Sequence, residues 1–127
     1  MDTDSTSPRS AFGRSTLNVL TRIFFYWDED AFVGLEASEH SGCGEEGTDV
    51  VCAAVSALLH ALLLGLSDVA KEKEARTVWD PESVLIKAFW PREKAETLSL
   101  LTETIALSLK EIASGYPGHV SISEVQL

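Results

Sequence analysis

The sequence is poor in cysteine and in basic residues, which argues against several classes of protein. Its 127 residues include only two cysteines, Cys43 and Cys52, too few for the disulfide framework of a small secreted domain. Ten Lys and Arg residues against 20 Asp and Glu residues give a formal net charge of -10, which repels the phosphate backbone of nucleic acid. We therefore expect no direct nucleic-acid contact, a basic protein as partner, and a reducing cytoplasm as the compartment.

Long hydrophobic runs are also scarce. The N-terminal segment, MDTDSTSPRSAFGRSTLN, has no apolar stretch that could serve as a signal peptide. The longest apolar run, residues 50–66, is interrupted by Ser56, His60 and Gly65 and is shorter than the roughly 20 residues of a membrane-spanning helix. We expect this run to form a helix that is buried on most of its sides, and we expect no membrane association.

The length and composition indicate one folded domain with a tail. Residues 1–16 are rich in Ser, Thr, Asp and Arg, a composition typical of a disordered segment. The remaining residues, 17–127, are enough for a single domain with its own hydrophobic core. We expect the chain to divide at about this point.

The pattern of apolar residues predicts the element order ββαββαβ. LNVLTRIFFYW and AFVGLEASE form a hairpin around DED, and ARTVWD and SVLIKAFW form a second one around DPES. One helix, capped by Asp49, follows the first hairpin and reaches about Ala70, and another lies between Arg92 and Ser114 and ends before Gly115. The segment HVSISEV forms the last strand.

This order favours an α+β fold with two layers, in which two helices cover one face of a largely antiparallel β-sheet. The second helix is amphipathic, whereas the first is apolar nearly all round. A single sheet covers only one face of such a helix. We therefore expect a homodimer that is formed through the first helix.

Cys52 opens the first helix, and three roles are open to it. Free cysteines are often buried as small apolar residues. Near a helix start, however, unpaired amides and the helix dipole favour the thiolate, which is the form that attacks carbon or binds metal. Cys52 is therefore a core residue, a metal ligand or a nucleophile.

A cysteine nucleophile needs a base within hydrogen-bond distance, and the sequence has three histidines. His60 lies eight residues after Cys52 on the same helix, about 12 Å along the axis, so that its ring cannot reach the sulfur. His119 lies in the last predicted strand, where a structural role is more common. His40 precedes the loop SGCGEEGT, whose glycines, Gly42, Gly44 and Gly47, allow the histidine to fold back over the helix start.

Two polar residues lie on the same helix face as Cys52, namely Asp49 and Ser56. Asp49 is either an ordinary N-cap or the residue that orients His40. Ser56 either donates a hydrogen bond to the sulfur or substrate, or bonds the carbonyl one turn back. The spacing alone does not decide between these roles.

A metal site is the main rival interpretation, since His40, Cys43 and Cys52 are ligand types and Glu45 or Glu46 could complete a set. The spacing of these residues matches no familiar zinc pattern, and the sequence contains no C-x2-C motif. We therefore expect no metal and no other cofactor. Cys43 could also pair with Cys52 in a redox-dependent disulfide.

The stretch HSGCGEEGTDVVCAAVSAL resembles the signature of the ribosomal-processing cysteine protease family of bacteria, Prp. In that family, a histidine segment is followed after a glycine-bearing loop by a D-[IV]-V-C-A-A-V-S motif. The separation of His40 and Cys52 matches that of the family. The resemblance extends from about residue 23 to residue 125.

The resemblance implies a small homodimeric α+β cysteine endopeptidase that removes the N-terminal extension of bacterial large-subunit ribosomal protein twenty-seven. By position, His40 would be the general base and Cys52 the nucleophile, with Asp49 and Ser56 in supporting roles. Glu39 departs from the family, which usually has glycine before the histidine. An alternative is therefore a ribosome-assembly homodimer that binds the peptide without cutting it.

Overall fold

The computed structural model describes residues 21–38, 48–82 and 85–127. The predicted N-terminal tail, residues 1–16, lies outside this range. The described chain forms five strands and two long helices in the predicted order ββαββαβ. The α+β fold class expected from the sequence is therefore confirmed.

The first hairpin joins β1, Thr21–Asp28, to β2, Ala31–Ser38. Its antiparallel register runs from Arg22 opposite Ser38 to Asp28 opposite Ala31. Glu29, in the turn, has a positive φ of 57°, which is uncommon for a residue other than glycine. β-branched and aromatic residues fill β1, as expected for a strand that packs against a core.

The second hairpin joins β3, Arg76–Asp80, to β4, Leu85–Phe89. It pairs with the first hairpin through β4 and β2, which are antiparallel. β5, Val120–Gln126, pairs in parallel with β1 on the other side. The sheet order is therefore β3-β4-β2-β1-β5, with β3 and β5 at the two edges.

Helix α1, Thr48–Leu64, continues into a π-helical turn at Gly65–Val69. With Asp49 as its cap, the helix was expected to begin at residue 50. It begins two residues earlier, so that Asp49 lies in the first helical turn. Helix α2 covers Ser99–Gly115 and is preceded by a 3-10 turn at Arg92–Lys94. The predicted start at Arg92 is thus too early, because the residues after Pro91 form short turns rather than a continuous helix.

The core lies between the two helices and one face of the sheet. α1 contributes every third or fourth residue, and α2 contributes the apolar stripe that its sequence predicted. The central strands contribute alternate side chains. Fully buried members of this core are Ile23, Phe25, Leu35, Val51, Val55, Leu62, Leu66, Ala88 and Leu109.

The surface of α1 is less buried than the sequence suggested. The stretch Val50–Val69 is long and apolar enough to cross a membrane by length and composition, and 33% of an apolar 18-residue part of it is buried inside the fold. Val50 and Leu64 are 66% and 58% exposed. The expectation of burial on most sides is therefore wrong, because the sheet and α2 cover only one side of the helix.

Candidate active site

The segment that links β2 to α1 carries most of the predicted site residues, and it lies outside the described part of the chain. His40, Cys43 and the three loop glycines, Gly42, Gly44 and Gly47, belong to this segment. The structure does define its two ends, because β2 ends at Ser38 and α1 begins at Thr48. The candidate site therefore lies at the end of the sheet where β2 finishes and α1 begins.

Cys52 lies at the beginning of the second turn of α1 and is half-buried. Val51 and Val55 beside it are 1% and 0% exposed, so that this part of the helix is fixed against the core. Helical side chains tilt toward the N-terminus, which directs the sulfur toward the first-turn amides of the helix. Cys52 is disulfide-bonded in the structure rather than a free thiol.

The other predicted residues of α1 are Asp49, Ser56 and His60. The backbone of Asp49 lies in the first turn, and Ser56 is half-buried one turn after Cys52. The ring of His60 packs edge-on against Trp79 of β3, with ring centroids 4.9 Å apart and an interplanar angle of 81°. His60 therefore has an aromatic packing partner on the edge strand, a contact that its sequence position did not indicate.

His119 lies in a turn before β5 rather than in the strand itself. Its carbonyl accepts a hydrogen bond of 2.8 Å from the amide of Thr21 at the start of β1. Its ring lies 6.2 Å from that of Tyr116, and the turn is at the end of the sheet where β2 finishes. His119 therefore joins two strand starts, which agrees with the structural role expected from the sequence.

At this end of the sheet, two buried polar atoms, Thr21 Oγ1 and His119 Nδ1, have no hydrogen-bond partner within the described part of the chain. Thr21 is only 1% exposed, and a buried hydroxyl without a partner usually costs about 1–3 kcal/mol. No sequence pattern singles out Thr21, because threonine is an ordinary residue of a β-strand.

Acidic residues also lie at this end, just after β3. Asp80 ends the strand, and its Oδ1 accepts a hydrogen bond of 3.1 Å from the amide of Glu82. Glu82 is exposed. Both carboxylates would attract a basic peptide at close range.

The one side chain for which a pKa shift is resolved among the described residues, Tyr26, lies away from this end. Burial raises the pKa of Tyr26 above 10.0, and the Glu36 carboxylate, which accepts a hydrogen bond of 3.0 Å from the Tyr26 hydroxyl, raises it further. Tyr26 pairs with Gly34 in the middle of the sheet and packs against Phe89. The raised pKa of Tyr26 therefore results from its packing on the face of the sheet that the helices do not cover.

The rival metal-site interpretation, which the sequence disfavours, is not tested by the structure, because four of its five candidate ligands lie in the segment of residues 39–47. Among the described residues, no group of three or more His, Cys, Asp or Glu side chains is placed to hold a metal ion.

Comparison with solved structures shows a shared fold. A protein from Streptococcus mutans superposes with a TM-score of 0.77 and 24% sequence identity, covering 89% of this chain and 100% of its own. The essential ribosomal processing protease Prp from S. aureus, in complex with a substrate peptide, gives a TM-score of 0.73 at 19% identity, covering 83% and 99%. The same protease with a covalently linked product peptide gives 0.71 at 20% identity, again covering 83% and 99%.

Sequence comparison identifies the family. No curated protein matches the chain. The family described as Cysteine protease Prp, however, matches residues 20–121, which is most of the chain. This protein therefore belongs to the Prp family of cysteine proteases.

Proposed function

We propose that this cysteine protease is an endopeptidase that removes the N-terminal extension of large-subunit ribosomal protein twenty-seven, with Cys52 as nucleophile and His40 as general base. The family match carries the proposal, because it covers the segment that contains both residues. The S. aureus relative is a ribosomal processing protease whose structure holds a substrate peptide. With a ribosomal protein as substrate, the proposed site of action is the cytoplasm.

The proposed reaction has two steps. In the first, His40 takes the proton of the Cys52 thiol, the sulfur bonds to the scissile carbonyl carbon, and the carbon–nitrogen bond breaks as His40 returns the proton to the leaving amine. In the second, a water that gives its proton to His40 attacks the thioester, which releases the new carboxylate and restores the thiol. Free amides at the start of α1 would stabilise the oxyanion in both steps.

The position of Cys52 supports this role. Once the disulfide is reduced, the helix dipole and the amides of the first turn would favour the thiolate form of a cysteine at this position, and Val51 and Val55 hold the helix in place. Asp49 would orient His40, and Ser56 would donate to the sulfur or to the substrate. A basic ribosomal peptide also complements a chain of net charge -10.

The proposal is tested with the ribosomal protein of the same organism and the reduced, full-length protease. We expect mass spectrometry to detect one cleavage near the N-terminus with the wild type, and none with Cys52→Ala or His40→Ala. Ser67→Ala, an exposed serine after α1, is the control and should cut as the wild type does. Binding of the substrate without cleavage would instead support the ribosome-assembly alternative, and cleavage by Cys52→Ala would reject Cys52 as nucleophile.

We further propose that the protease is a homodimer that is formed through α1. One side of the helix exposes small or apolar residues at three- and four-residue spacing: Val50, Ala53, Ala57, Ala61 and Leu64. Small residues allow two helices to approach closely, and burying this side removes apolar surface from water. Nothing comparable is exposed on the described part of β1 or β2, which lie in the middle of the sheet.

Light scattering after size exclusion tests the dimer. Ala57→Glu places a charge in the proposed contact and should shift the protein to the monomer mass. Leu107→Glu, on α2 and 63% exposed in the wild type, should leave the mass unchanged. A wild type that already has the monomer mass, or an Ala57→Glu variant that stays dimeric, contradicts this interface.

A further inference from the structure

The side of α1 that carries Cys52 faces the edge strand β3. Cys52, Ser56 and His60 recur every four residues and therefore lie along one side of the helix. Contact between the rings of His60 and Trp79 places this side against β3. Gly65, which packs against Leu101 of α2, lies about 140° around the helix from Cys52. The reactive side of α1 thus points away from α2.

Two residues of β3 face the same space. Thr77 and Trp79 pair with Ala88 and Ile86, which are 0% and 4% exposed, so that these positions face the helix layer. Thr77 is nevertheless exposed, and Trp79 is 45% exposed. Thr77 and Trp79 thus border the space beside His60, and Cys52 and Ser56 lie on the same side of α1 as His60. We call this space between the helix and the edge strand the α1–β3 cleft.

The free edge of β3 borders this cleft. Among the described residues, Arg76–Trp79 form backbone hydrogen bonds only with β4, and β3 is the outermost strand of the sheet. An exposed edge strand is a template on which an extended peptide adds as a further strand. Alternate side chains of such a peptide would point into the cleft.

We propose that the substrate peptide pairs with β3 and that Trp79 and His60 form a subsite for one apolar or aromatic side chain of it. This inference rests on the proposed function. His60 lies about 12 Å from Cys52 along the helix axis, and an extended chain advances about 3.3 Å per residue. The subsite therefore receives the side chain three or four residues from the bond that is cut.

Charge supports a basic peptide as the occupant. Asp80 ends β3 directly after Trp79, and the exposed Glu82 follows it. The whole chain carries a net charge of -10. Lysine or arginine side chains of the peptide near the scissile bond would meet carboxylates, while an apolar side chain further out would stack on the two rings.

Steady-state cleavage of a synthetic peptide that spans the ribosomal extension and the residues after it tests this subsite. Trp79→Ala should raise KM about tenfold and change kcat little, the loss typical of a buried aromatic anchor. Val78→Ala is the matched control, because Val78 is 47% exposed on the same strand but faces the opposite side of the sheet. It should change KM less than about twofold, as expected for a residue outside the contact.

A peptide scan identifies the partner side chain. Alanine at the peptide position three or four residues from the scissile bond should weaken cleavage by the wild type, and it should have little further effect with Trp79→Ala, since both changes remove one contact. Thr77→Arg, a charge at an exposed position of the cleft, should raise KM for the basic peptide while the thermal unfolding midpoint stays unchanged. If Trp79→Ala lowers the stability of the protein, Thr77→Arg still tests the cleft in a fully folded variant.

The results of these experiments distinguish a failure of the subsite proposal from a failure of the proposed protease function. Equal KM values for Trp79→Ala, Thr77→Arg and Val78→Ala, in a wild type that cuts the peptide through Cys52, overturn the subsite and leave the protease proposal intact. If the wild type does not cut, fluorescence anisotropy of the labelled peptide replaces kinetics. Binding that is weakened by Trp79→Ala but not by Val78→Ala then supports the subsite, and equal binding overturns it.

Discussion

The two helices have the same length but differ in how much apolar surface they expose. Both α1 and α2 contain 17 residues. α2 buries one apolar stripe, and its other side is mostly polar, with Leu100 and Leu107 as exposed exceptions. α1 buries a similar stripe, and its remaining surface is divided between an exposed apolar side and a side that carries Cys52, Ser56 and His60. The surplus of apolar surface thus marks the helix that bears the site.

The largest difference should appear in sensitivity to oxidation. Cys52 is disulfide-bonded in the structure, and a disulfide sulfur cannot act as a thiolate nucleophile, whereas α2 contains no cysteine. Protein purified without reductant should therefore show no peptidase activity and recover it with dithiothreitol. Cys43→Ser removes the other cysteine of the sequence and should make activity independent of reductant; full activity of the oxidised wild type contradicts this prediction.

Core truncation should make the two helices equally sensitive. Leu62 in α1 and Leu109 in α2 are both 0% exposed, so that Leu62→Ala and Leu109→Ala should each lower the free energy of unfolding by about 2–5 kcal/mol through the lost contacts and the cavity. Urea denaturation of the reduced protein measures both. A loss below about 1 kcal/mol for either variant would show that its side of the core is not tightly packed.

Replacing a glycine at the end of each helix should give a smaller difference in the free energy of unfolding. A Cβ on Gly65, at the end of α1, would lie 2.7 Å from a methyl carbon of Leu101 in α2, whereas one on Gly115, at the end of α2, would meet nothing within 4 Å. Gly65→Ala should lower the unfolding free energy by about 1–3 kcal/mol through overpacking. Gly115→Ala should leave it within about 0.5 kcal/mol or raise it slightly. Equal midpoints in thermal unfolding would mean that Leu101 moves aside.

The smallest effect concerns two serines at similar places in the two helices. The hydroxyl of Ser108 in α2 donates to the Thr104 carbonyl at 2.8 Å, one turn back, and Ser108→Ala should not change activity. Ser56→Ala should lower kcat by up to about tenfold if its hydroxyl donates to the sulfur or substrate, since such a bond contributes about 1 kcal/mol. Equal kcat values for the two variants would assign Ser56 the same local role as Ser108.

Much of the fold could be predicted because its signals are local. The DED and DPES turns separate alternating segments, and the stripe of Ile105 and Leu109 indicates an amphipathic helix without knowledge of its partner. Boundaries were less accurate, because periodicity does not distinguish the 3-10 turn after Pro91, or the π-helical turn at Gly65–Val69, from α-helix. Those turns depend on how the helix ends pack.

The candidate site was predicted through its motif rather than through geometry. Spacing along one helix was enough to separate His60 from Cys52, since helix rise is constant. It could not show that His60 meets Trp79, which lies 19 residues further along the chain on another element. The roles of His40, Asp49 and Ser56 stay predictions.

The sequence by itself determined the element order, the apolar stripes, the negative charge and the family motif around Cys52, because each depends on residues close together in the chain. Only the tertiary structure decided that β5 joins β1 in parallel, that β3 is an edge, and that the side of α1 with Cys52 faces this edge. These relations depend on strand pairing and helix packing, which bring together residues that are far apart in the chain. A local sequence pattern therefore cannot predict them.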